Sequence, residues 1–374
     1  MMSSRLPPDA DKWMSRALAL ARRGQALASP NPMVGAVLLR NGRVVGQGFH
    51  TYDGLRHAEI IALETAGQAA RGATLYINLE PCCNQGRTGP CTRALIDAGI
   101  KRVVAAIPDP NPKVAGRGLR QLRAAGIEVF TGVEESEARQ LNEAFTVWIT
   151  SRRPLVTLKS AMTLDSHMVL PRRKGRSRWI TSEAARTEVH RMRHASDAIL
   201  TGIGTVLADD PLLTDRTGRP RRRPLLRVIL DSRLRLPLRS QLVRTAREDV
   251  LVFTRAGESS ECARALTRAG VEVIRIGGRT GRLDLQAVLD ELGRRSLLSV
   301  MFEPGPTLHQ SALDAGVVDK VRLFYAPTLA GLPAAAQPVR ARADSKLRNL
   351  SALRIQSFGP DFAVEGYLRD IYRR

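Results

Sequence analysis

Hydrophobic and polar positions follow helical and strand spacings through the first 150 residues of the chain. Residues 11–23 have the spacing of an amphipathic helix. Two apolar runs, 34–39 and 43–48, flank Asn41-Gly42, which predicts a hairpin with a type I′ turn, because both turn positions need positive φ. Helices are then predicted at 57–68, 90–99, 117–125 and 134–149, and strands at 73–79, 102–107 and 127–131. A hairpin followed by alternating strands and helices predicts an α/β sandwich.

This alternation stops at Ser151-Arg152-Arg153-Pro154 and then starts again. The later strands are predicted at 155–160, 197–201, 225–230, 249–254, 271–275, 297–303 and 319–326, and the helices at 182–194, 258–269, 284–293 and 306–315. A chain of 374 residues is long for one core. We therefore expect two α/β domains, residues 1–150 and residues 151–374.

Composition narrows the class of protein. Hydrophobic residues make up 43% of the chain and charged residues 25%, as in ordinary soluble domains. No apolar run approaches the roughly 18 residues that span a bilayer, and the N-terminal residues lack the apolar part of a secretory signal. We therefore expect a cytoplasmic protein with no membrane partner.

The net charge of +22 comes mainly from arginine and allows three interpretations. The arginines could lie on solvated faces, attract small anionic substrates, or neutralise nucleic-acid phosphates. Aromatic residues, on which unpaired bases stack, are only 4% of the chain and do not interleave with the basic ones. We therefore expect a small phosphorylated substrate and no nucleic-acid partner.

Three of the four cysteines, Cys82, Cys83 and Cys91, lie within ten residues. In a cytosolic chain such a cluster indicates a metal site first and redox chemistry second, and a Cys82–Cys91 disulfide fits poorly. Cys83 is interpreted as a packed neighbour of the other two.

A histidine completes a zinc-ligand set with two of these cysteines. His57 opens a predicted helix, Cys82 follows a buried strand, and Cys91 opens the next helix. Catalytic zinc takes three protein ligands and keeps a position for water. Glu59 lies two residues past the histidine, where it can reach that water as the general acid and base. Zinc deaminases divide these roles in the same way, with H-x-E and then P-C-x-x-C, although here eight residues separate the cysteines. A core histidine beside two incidental cysteines remains the alternative.

Further motifs accompany these residues in both halves of the chain. The motifs of the first half are Asn31-Pro32-x-Val34-Gly35, His57-Ala58-Glu59, Glu80-Pro81-Cys82, Gly86-Arg87-Thr88-Gly89-Pro90-Cys91 and Asp109-Pro110-Asn111-Pro112. Those of the second half are Trp179-Ile180-Thr181-Ser182, Thr205-Val206-Leu207-Ala208-Asp209-Asp210-Pro211, Ile229-Leu230-Asp231-Ser232 and Glu303-Pro304-Gly305-Pro306-Thr307-Leu308. With these motifs the chain resembles the bifunctional riboflavin-biosynthesis deaminase–reductases over nearly its whole length. The eight-residue gap between the cysteines is typical of that family and differs from the short gap of tRNA adenosine deaminases.

The resemblance implies a cytidine-deaminase-like α/β/α sandwich followed by a dihydrofolate-reductase-like α/β domain. It implies that one zinc ion, through a bound hydroxide, deaminates 2,5-diamino-6-ribosylamino-4(3H)-pyrimidinone 5′-phosphate. Glu59 would move the proton and Asn31 would hydrogen-bond the substrate. NADPH would then reduce the ribosyl group to ribityl. We also expect a homo-oligomer.

The resemblance also implies the residues of the reductase site. The substrate contacts would be Ser177, Arg193, Leu213, Arg216 and Glu303. The NADPH contacts would be Ala161, Trp179, Thr205, Asp209, Ser232, Gly305, Pro306, Thr307, Leu308, His309, Gln310 and Ser311. Guanidinium forks suit a phosphate, and Gly305 begins a helix whose N-terminus suits the dinucleotide phosphates. Lys159 is a candidate catalytic residue that positions the sugar carbon, or alternatively a surface lysine at a strand end.

One loop of the second half departs from the family pattern. The chain has Ser166-His167 where the family has glycine and then a basic residue, and Pro304 where it has a small residue. The segment after His167 is about two residues longer than usual, with Arg176 where the family tends to have an acid. We therefore expect an altered loop at 165–178, and a deaminase whose reductase domain is impaired or repurposed remains the alternative function.

Overall fold

The structure, a computed structural model, describes residues 6–85, 89–168, 179–257, 260–278, 281–331 and 347–372. The chain forms two compact units. The first contains Met1–Ser151 with Pro220–Arg222, and the second contains Arg152–Arg219 with Arg223–Arg374. Within the described residues, no helix has the length and apolar character needed to cross a membrane.

The first unit is a three-layer α/β/α sandwich. Its strands pair in the order β2-β1-β3-β4-β5, with β1 antiparallel to both neighbours and the last three strands parallel. The strands are β1 (Gly35–Arg40), β2 (Arg43–Phe49), β3 (Thr74–Leu79), β4 (Arg102–Ile107) and β5 (Glu128–Thr131). The helices are α1 (Ala10–Arg22), α2 (Ala58–Ala66), α3 (Cys91–Asp97), α4 (Arg117–Ala124), α5 (Glu135–Leu141) and α6 (Glu143–Ser151), and a 3₁₀ turn covers Gly67–Ala70.

Alternating strand residues separate the two cores of this unit. Leu38 and Leu75 pack with residues of α2, α3 and α4, whereas their neighbours Val37 and Tyr76 pack with α1 and α5. This is the two-residue period of a sheet with both faces covered. The predicted turn between β1 and β2 is also present, since Asn41 has φ 51° and Gly42 has φ 74°.

The single helix predicted at 134–149 is wrong, because the chain forms two helices that meet at Asn142. This residue has φ −110° and is buried. Its Oδ1 accepts the Met33 N–H at 2.8 Å and its Nδ2 donates to the Met33 carbonyl at 2.9 Å. The Asn142 side chain therefore anchors the loop after Asn31, a contact that helical periodicity does not reveal.

The second unit is built on a nine-stranded sheet in the order β10-β9-β8-β7-β11-β6-β12-β14-β13. All pairs are parallel except those that β14 makes. The strands are β6 (Leu155–Thr163), β7 (Ala198–Gly202), β8 (Leu226–Leu230), β9 (Val250–Thr254), β10 (Val271–Arg275), β11 (Ser299–Phe302), β12 (Lys320–Ala326), β13 (Ser351–Phe358) and β14 (Asp361–Tyr367). The helices are α7 (Glu183–Ala195), α8 (Ile203–Asp209), α9 (Gln241–Arg244), α10 (Glu261–Arg268), α11 (Leu285–Arg294) and α12 (Pro306–Asp314).

Parallel strands bring their carboxyl ends to one edge of a sheet, which is where open α/β sheets bind ligands. Asp165, Ser232 and Glu303 follow the ends of β6, β8 and β11 at this edge. The hydrophobic pattern of the sequence did not predict α8, α9 or the hairpin of β13 and β14. The helix α8 has only seven residues, and β13 is exposed at every position but its last, so it lacks an apolar alternation.

Candidate active sites

Three segments of the first unit bring the predicted zinc ligands together. His57 caps α2, Cys91 is the first residue of α3, and Cys82 lies in the turn after β3. His57 Nδ1 lies 3.1 Å from Cys91 Sγ and 3.5 Å from Cys82 Sγ, and the three ligand atoms all lie within 4.8 Å of one another. Zinc bonds of about 2.0 Å to nitrogen and 2.3 Å to sulfur put tetrahedral ligand atoms roughly 3.5 Å apart. The donor set therefore fits one zinc ion.

The ionisation of these side chains also suits a metal. Hydrogen bonding from Cys91 and His57 outweighs burial and lowers the pKa of Cys82 to about 4. The same Cys82 sulfur raises the pKa of the Cys91 thiol and the pKa of His57. Cys82 is therefore held as the thiolate, which is the form that binds metal.

Glu59 projects from the first turn of α2 beside this set and is only 3% exposed. Its Oε2 is buried and has no hydrogen-bond partner among the described residues. Burial raises the pKa of this carboxyl group. A buried carboxyl group with a raised pKa and one unused oxygen suits a general acid and base.

Asn31 is held in place by a histidine that sequence reasoning missed. Asn31 Nδ2 lies 3.0 Å from His50 Nε2, and His50 Nδ1 lies 2.9 Å from the Arg56 carbonyl oxygen. The carbonyl can only accept, so Nδ1 carries the proton and Nε2 accepts from the amide. This orientation leaves Asn31 Oδ1 as an acceptor for a ligand. His50 directly follows β2, and such a position at the end of an element was the signal that could have found it.

In the second unit the structure brings Lys159, Arg193 and Glu303 into one cluster. Arg193 Nε and Nη2 donate to the two carboxylate oxygens of Glu303 at 2.7 and 2.9 Å. Burial disfavours the charged form of Glu303, but Arg193 and Lys159 outweigh it and lower its pKa to about 2. Burial lowers the pKa of Lys159, which Glu303 partly offsets. Lys159 is therefore a partly buried member of a charged cluster and not a surface lysine.

All three nitrogen atoms of the Arg193 guanidinium group donate hydrogen bonds within the protein. Its third nitrogen, Nη1, donates to the Thr214 carbonyl at 2.8 Å, so Arg193 joins Glu303 to the loop that carries Leu213 and Arg216. The Arg193 guanidinium faces a carboxylate, and its predicted contact with the substrate stays a prediction. Arg216 is exposed and Leu213 is buried, and their predicted substrate contacts also stay predictions.

His190, one turn before Arg193, also belongs to this cluster and was missed by sequence reasoning. Its Nδ1 is buried without a hydrogen-bond partner among the described residues. Burial and the charges of Arg193 and Arg216 lower its pKa. His190 lies three residues before Arg193 in α7, so the two share a face of the helix. This spacing was the signal that could have found His190 in the sequence.

Two of the predicted NADPH contacts meet at helix N-termini. Gly305 caps α12, and a Cβ atom at Gly305 would lie 3.2 Å from the Thr205 hydroxyl oxygen in α8. The first amides of a helix have no partner within it and suit phosphate groups. The residues Pro306, Thr307, Leu308, His309, Gln310 and Ser311 form the first turns of α12. This end of the sheet therefore fits the phosphates of a dinucleotide.

The other predicted contacts lie on separate elements. Ala161 is in β6, Asp209 ends α8, and Ser232 follows β8. Trp179 is 52% exposed, with the Arg186 guanidinium 5.4 Å from its ring centre. Ser177 and Arg176 lie outside the described residues.

The divergent loop keeps a defined turn at its start. Asp165 accepts hydrogen bonds from the Thr163 hydroxyl at 2.5 Å and from the backbone N–H groups of Ala330 and Gly331 at 3.0 Å. Ser166 has φ 65°, the left-handed conformation that favours glycine. The serine therefore takes the conformation that a glycine would adopt, at a steric cost.

We expect Ser166→Gly to stabilise the second unit by about 1 kcal/mol, because it removes left-handed strain from a residue with a Cβ atom. The NADPH-dependent activity should be retained. The midpoint of thermal unfolding measures the change. Ser357→Gly is the matched control, because Ser357 lies in strand β13 and glycine there should lower the midpoint. A lower midpoint for Ser166→Gly would contradict this account of the turn.

Comparison with known proteins matches each half of the chain to a known domain family. The profile of the cytidine and deoxycytidylate deaminase zinc-binding region matches residues 7–107, and that of the RibD C-terminal domain matches residues 154–364. The riboflavin biosynthesis protein RibD of Synechocystis is 42% identical over 95% of both chains.

Two solved structures cover nearly the whole chain. RibD of Acinetobacter baumannii is 36% identical, with a TM-score of 0.83 over 96% of this chain and 98% of that one. A diaminohydroxyphosphoribosylaminopyrimidine deaminase/5-amino-6-(5-phosphoribosylamino)uracil reductase of Thermotoga maritima, also 36% identical, has a TM-score of 0.81 over the same shares.

These similarities confirm the predicted deaminase-like and reductase-like folds. The match to the reductase profile gives no support to the alternative of an impaired second domain. The chain therefore belongs to the RibD family of bifunctional riboflavin-biosynthesis enzymes, which use zinc for deamination in the first domain and NADPH for reduction in the second.

Proposed function

We propose that residues 1–150 deaminate the 2,5-diamino-6-ribosylamino-4(3H)-pyrimidinone 5′-phosphate substrate and that residues 151–374 then reduce its ribosyl group. The observation that carries the first assignment is the set of His57, Cys82 and Cys91, whose ligand atoms lie within 4.8 Å of one another beside the unpartnered Oε2 of Glu59. Each reaction has its own site, so each can be tested in the same chain.

Glu59 moves the proton in the deamination. His57, Cys82 and Cys91 would hold a zinc ion, which would supply a Lewis acid that lowers the pKa of water to roughly 7. Glu59 takes a proton from the attacking water, and the oxygen of this water bonds to the ring carbon that bears the 2-amino group. It then delivers the proton to the amine nitrogen, the carbon–nitrogen bond breaks, and ammonia leaves. Asn31 Oδ1 accepts a hydrogen bond from the ring and orients it, while His50 keeps the amide in that orientation.

The charged cluster of the second unit orients the sugar for reduction. NADPH supplies the hydride. Glu303 is held ionised by Arg193 and accepts hydrogen bonds from sugar hydroxyl groups. Lys159 donates to the sugar beside the carbon that receives the hydride, and the exposed Arg216 binds the phosphate.

Zinc analysis tests the ligand assignment. We expect about one zinc ion per purified wild-type chain and loss of zinc from Cys82→Ser and Cys91→Ser, because a hydroxyl group is a far weaker zinc ligand than a thiolate. Cys83→Ser is the matched control, since the Cys83 sulfur contacts Asn84 at 3.6 Å and is outside the ligand set. Zinc loss in Cys83→Ser together with zinc retention in Cys82→Ser would overturn the assignment.

We further propose that the enzyme works in the cytoplasm as a homo-oligomer. The free thiols of Cys82 and Cys91 suit a reducing compartment.

The proposed oligomer rests on strand β13, which is an edge strand of the second sheet among the described residues. It exposes Leu353 and Ile355, with 56% and 67% of their surfaces accessible. Long exposed edges of this kind pair with another chain. Ile355→Lys should lower the mass measured by sedimentation, and a wild-type monomer at all concentrations would contradict the proposal.

A further inference from the structure

Glu80, which follows β3, accepts four backbone hydrogen bonds from one segment of the chain. Its Oε2 accepts from the N–H groups of Asp109 and Gly116 at 2.9 and 2.8 Å. Its Oε1 accepts from those of Gly118 and Leu119 at 2.8 and 3.2 Å. The side chain is only 3% exposed, so these donors replace water around the carboxylate.

The same segment lies directly against the turn that carries Cys82. A Cβ atom at Gly118 would lie 2.2 Å from the Pro81 carbonyl oxygen, so only glycine permits this approach. Beyond the turn, Asn84 Nδ2 donates to the Lys113 carbonyl at 3.1 Å. The Cys82 carbonyl in turn accepts from the Thr92 N–H at 3.1 Å. The turn is therefore held between the segment 109–119 and the start of α3.

The chemistry of the contacts requires a carboxylate. Hydrogen bonds from N–H groups to a charged oxygen are roughly twice as strong as neutral ones. Two of the donors, Gly118 and Leu119, lie in the first turn of α4, where the helix dipole favours negative charge. An amide side chain keeps one accepting oxygen, but its NH₂ group would face N–H donors.

We propose that Glu80 is a positioning residue of the deaminase site, which locks the segment 109–119 against the Cys82 turn and so fixes the direction of Cys82 Sγ. The inference rests on the proposed role of Cys82 as a zinc ligand. Groups that orient metal ligands typically change metal affinity or activity by about 10- to 100-fold when replaced. Glu80 acts through the backbone on either side of the ligand and does not touch the ligand sulfur.

Two variants test this role by different routes. Glu80→Gln removes the charge and adds an opposing donor, while Gly118→Ala keeps Glu80 and forces the segment away from Pro81. We expect both full-length variants to release zinc to a chelator about 10- to 100-fold faster than the wild type, with kcat/KM for deamination lowered by a similar factor. Reduction in the second domain of the same chain should be unchanged.

Glu128→Gln is the matched control, because Glu128 lies on β5 and pairs with Arg102 of β4, away from the ligands. It should leave both readouts within twofold of the wild type. Zinc release and deamination near wild-type values in both test variants would overturn the proposal. A parallel loss of reduction in both would also overturn it, since Glu80 would then support the whole fold. If the wild type binds no zinc, the proposed function itself fails.

Discussion

Replacing Glu59 by glutamine should lower the rate of ammonia release by about 10²- to 10⁴-fold, the usual contribution of a general acid and base. The amide has the same shape but cannot carry the proton from water to the leaving nitrogen. Because Glu59 is not a metal ligand in this account, the variant should keep about one zinc ion per chain. Ammonia release and zinc content are measured on the same preparation.

The control for this variant is Glu64→Gln, on the same helix. Glu64 is half exposed and pairs with Arg56, so its loss should change deamination by less than about twofold. Reduction of the deaminated intermediate should stay at the wild-type rate in both variants. A Glu59→Gln protein that still releases ammonia at the wild-type rate would refute the proton-transfer role.

Replacing Lys159 by methionine should lower NADPH-dependent reduction by roughly 100-fold or more, the size of effect expected when a group that positions the reacting atoms is lost. Methionine keeps much of the side-chain volume but donates no hydrogen bond to the sugar. It also leaves Glu303 with Arg193 as its remaining strong cation, 2.7 Å away. NADPH oxidation with the deaminated intermediate measures the loss.

The chain offers a control for removing a buried lysine as such. Lys320 lies on β12, is 7% exposed and pairs with Glu365 at 3.1 Å, outside the charged cluster. Lys320→Met should lower stability without lowering reduction per folded molecule. Deamination should be unchanged in both variants. Equal losses of reduction in the two variants would show that Lys159 acts through stability alone.

The cluster of His57, Cys82 and Cys91 was predictable because each residue lies at the end of an element with a strong local pattern, while the role of Glu59 stays a prediction. His57 and Cys91 begin helices, and Cys82 follows a buried strand. The hairpin was also predictable from a local pattern. Its turn needs positive φ at two successive residues, and Asn41 and Gly42 both adopt it.

What the sequence could not show depends on partners far apart in the chain. Asn142 interrupts a helical pattern because its side chain hydrogen-bonds the backbone of Met33, 109 positions away. The guanidinium group of Arg193 pairs with Glu303, 110 positions away. The departure at Ser166 was visible, but its conformation was not. Ser166 adopts the left-handed conformation that favours glycine, so this turn has a steric cost that the sequence alone did not reveal.

The most direct test of the central claim is to supply purified protein with the diaminopyrimidine ribosyl phosphate, with and without NADPH. Without NADPH, one ammonia should form per substrate and the deaminated ribosyl intermediate should accumulate. Adding NADPH should convert that intermediate to the ribityl product with one NADPH oxidised per molecule. Ammonia release without any NADPH oxidation would contradict the claim that this chain carries both sites.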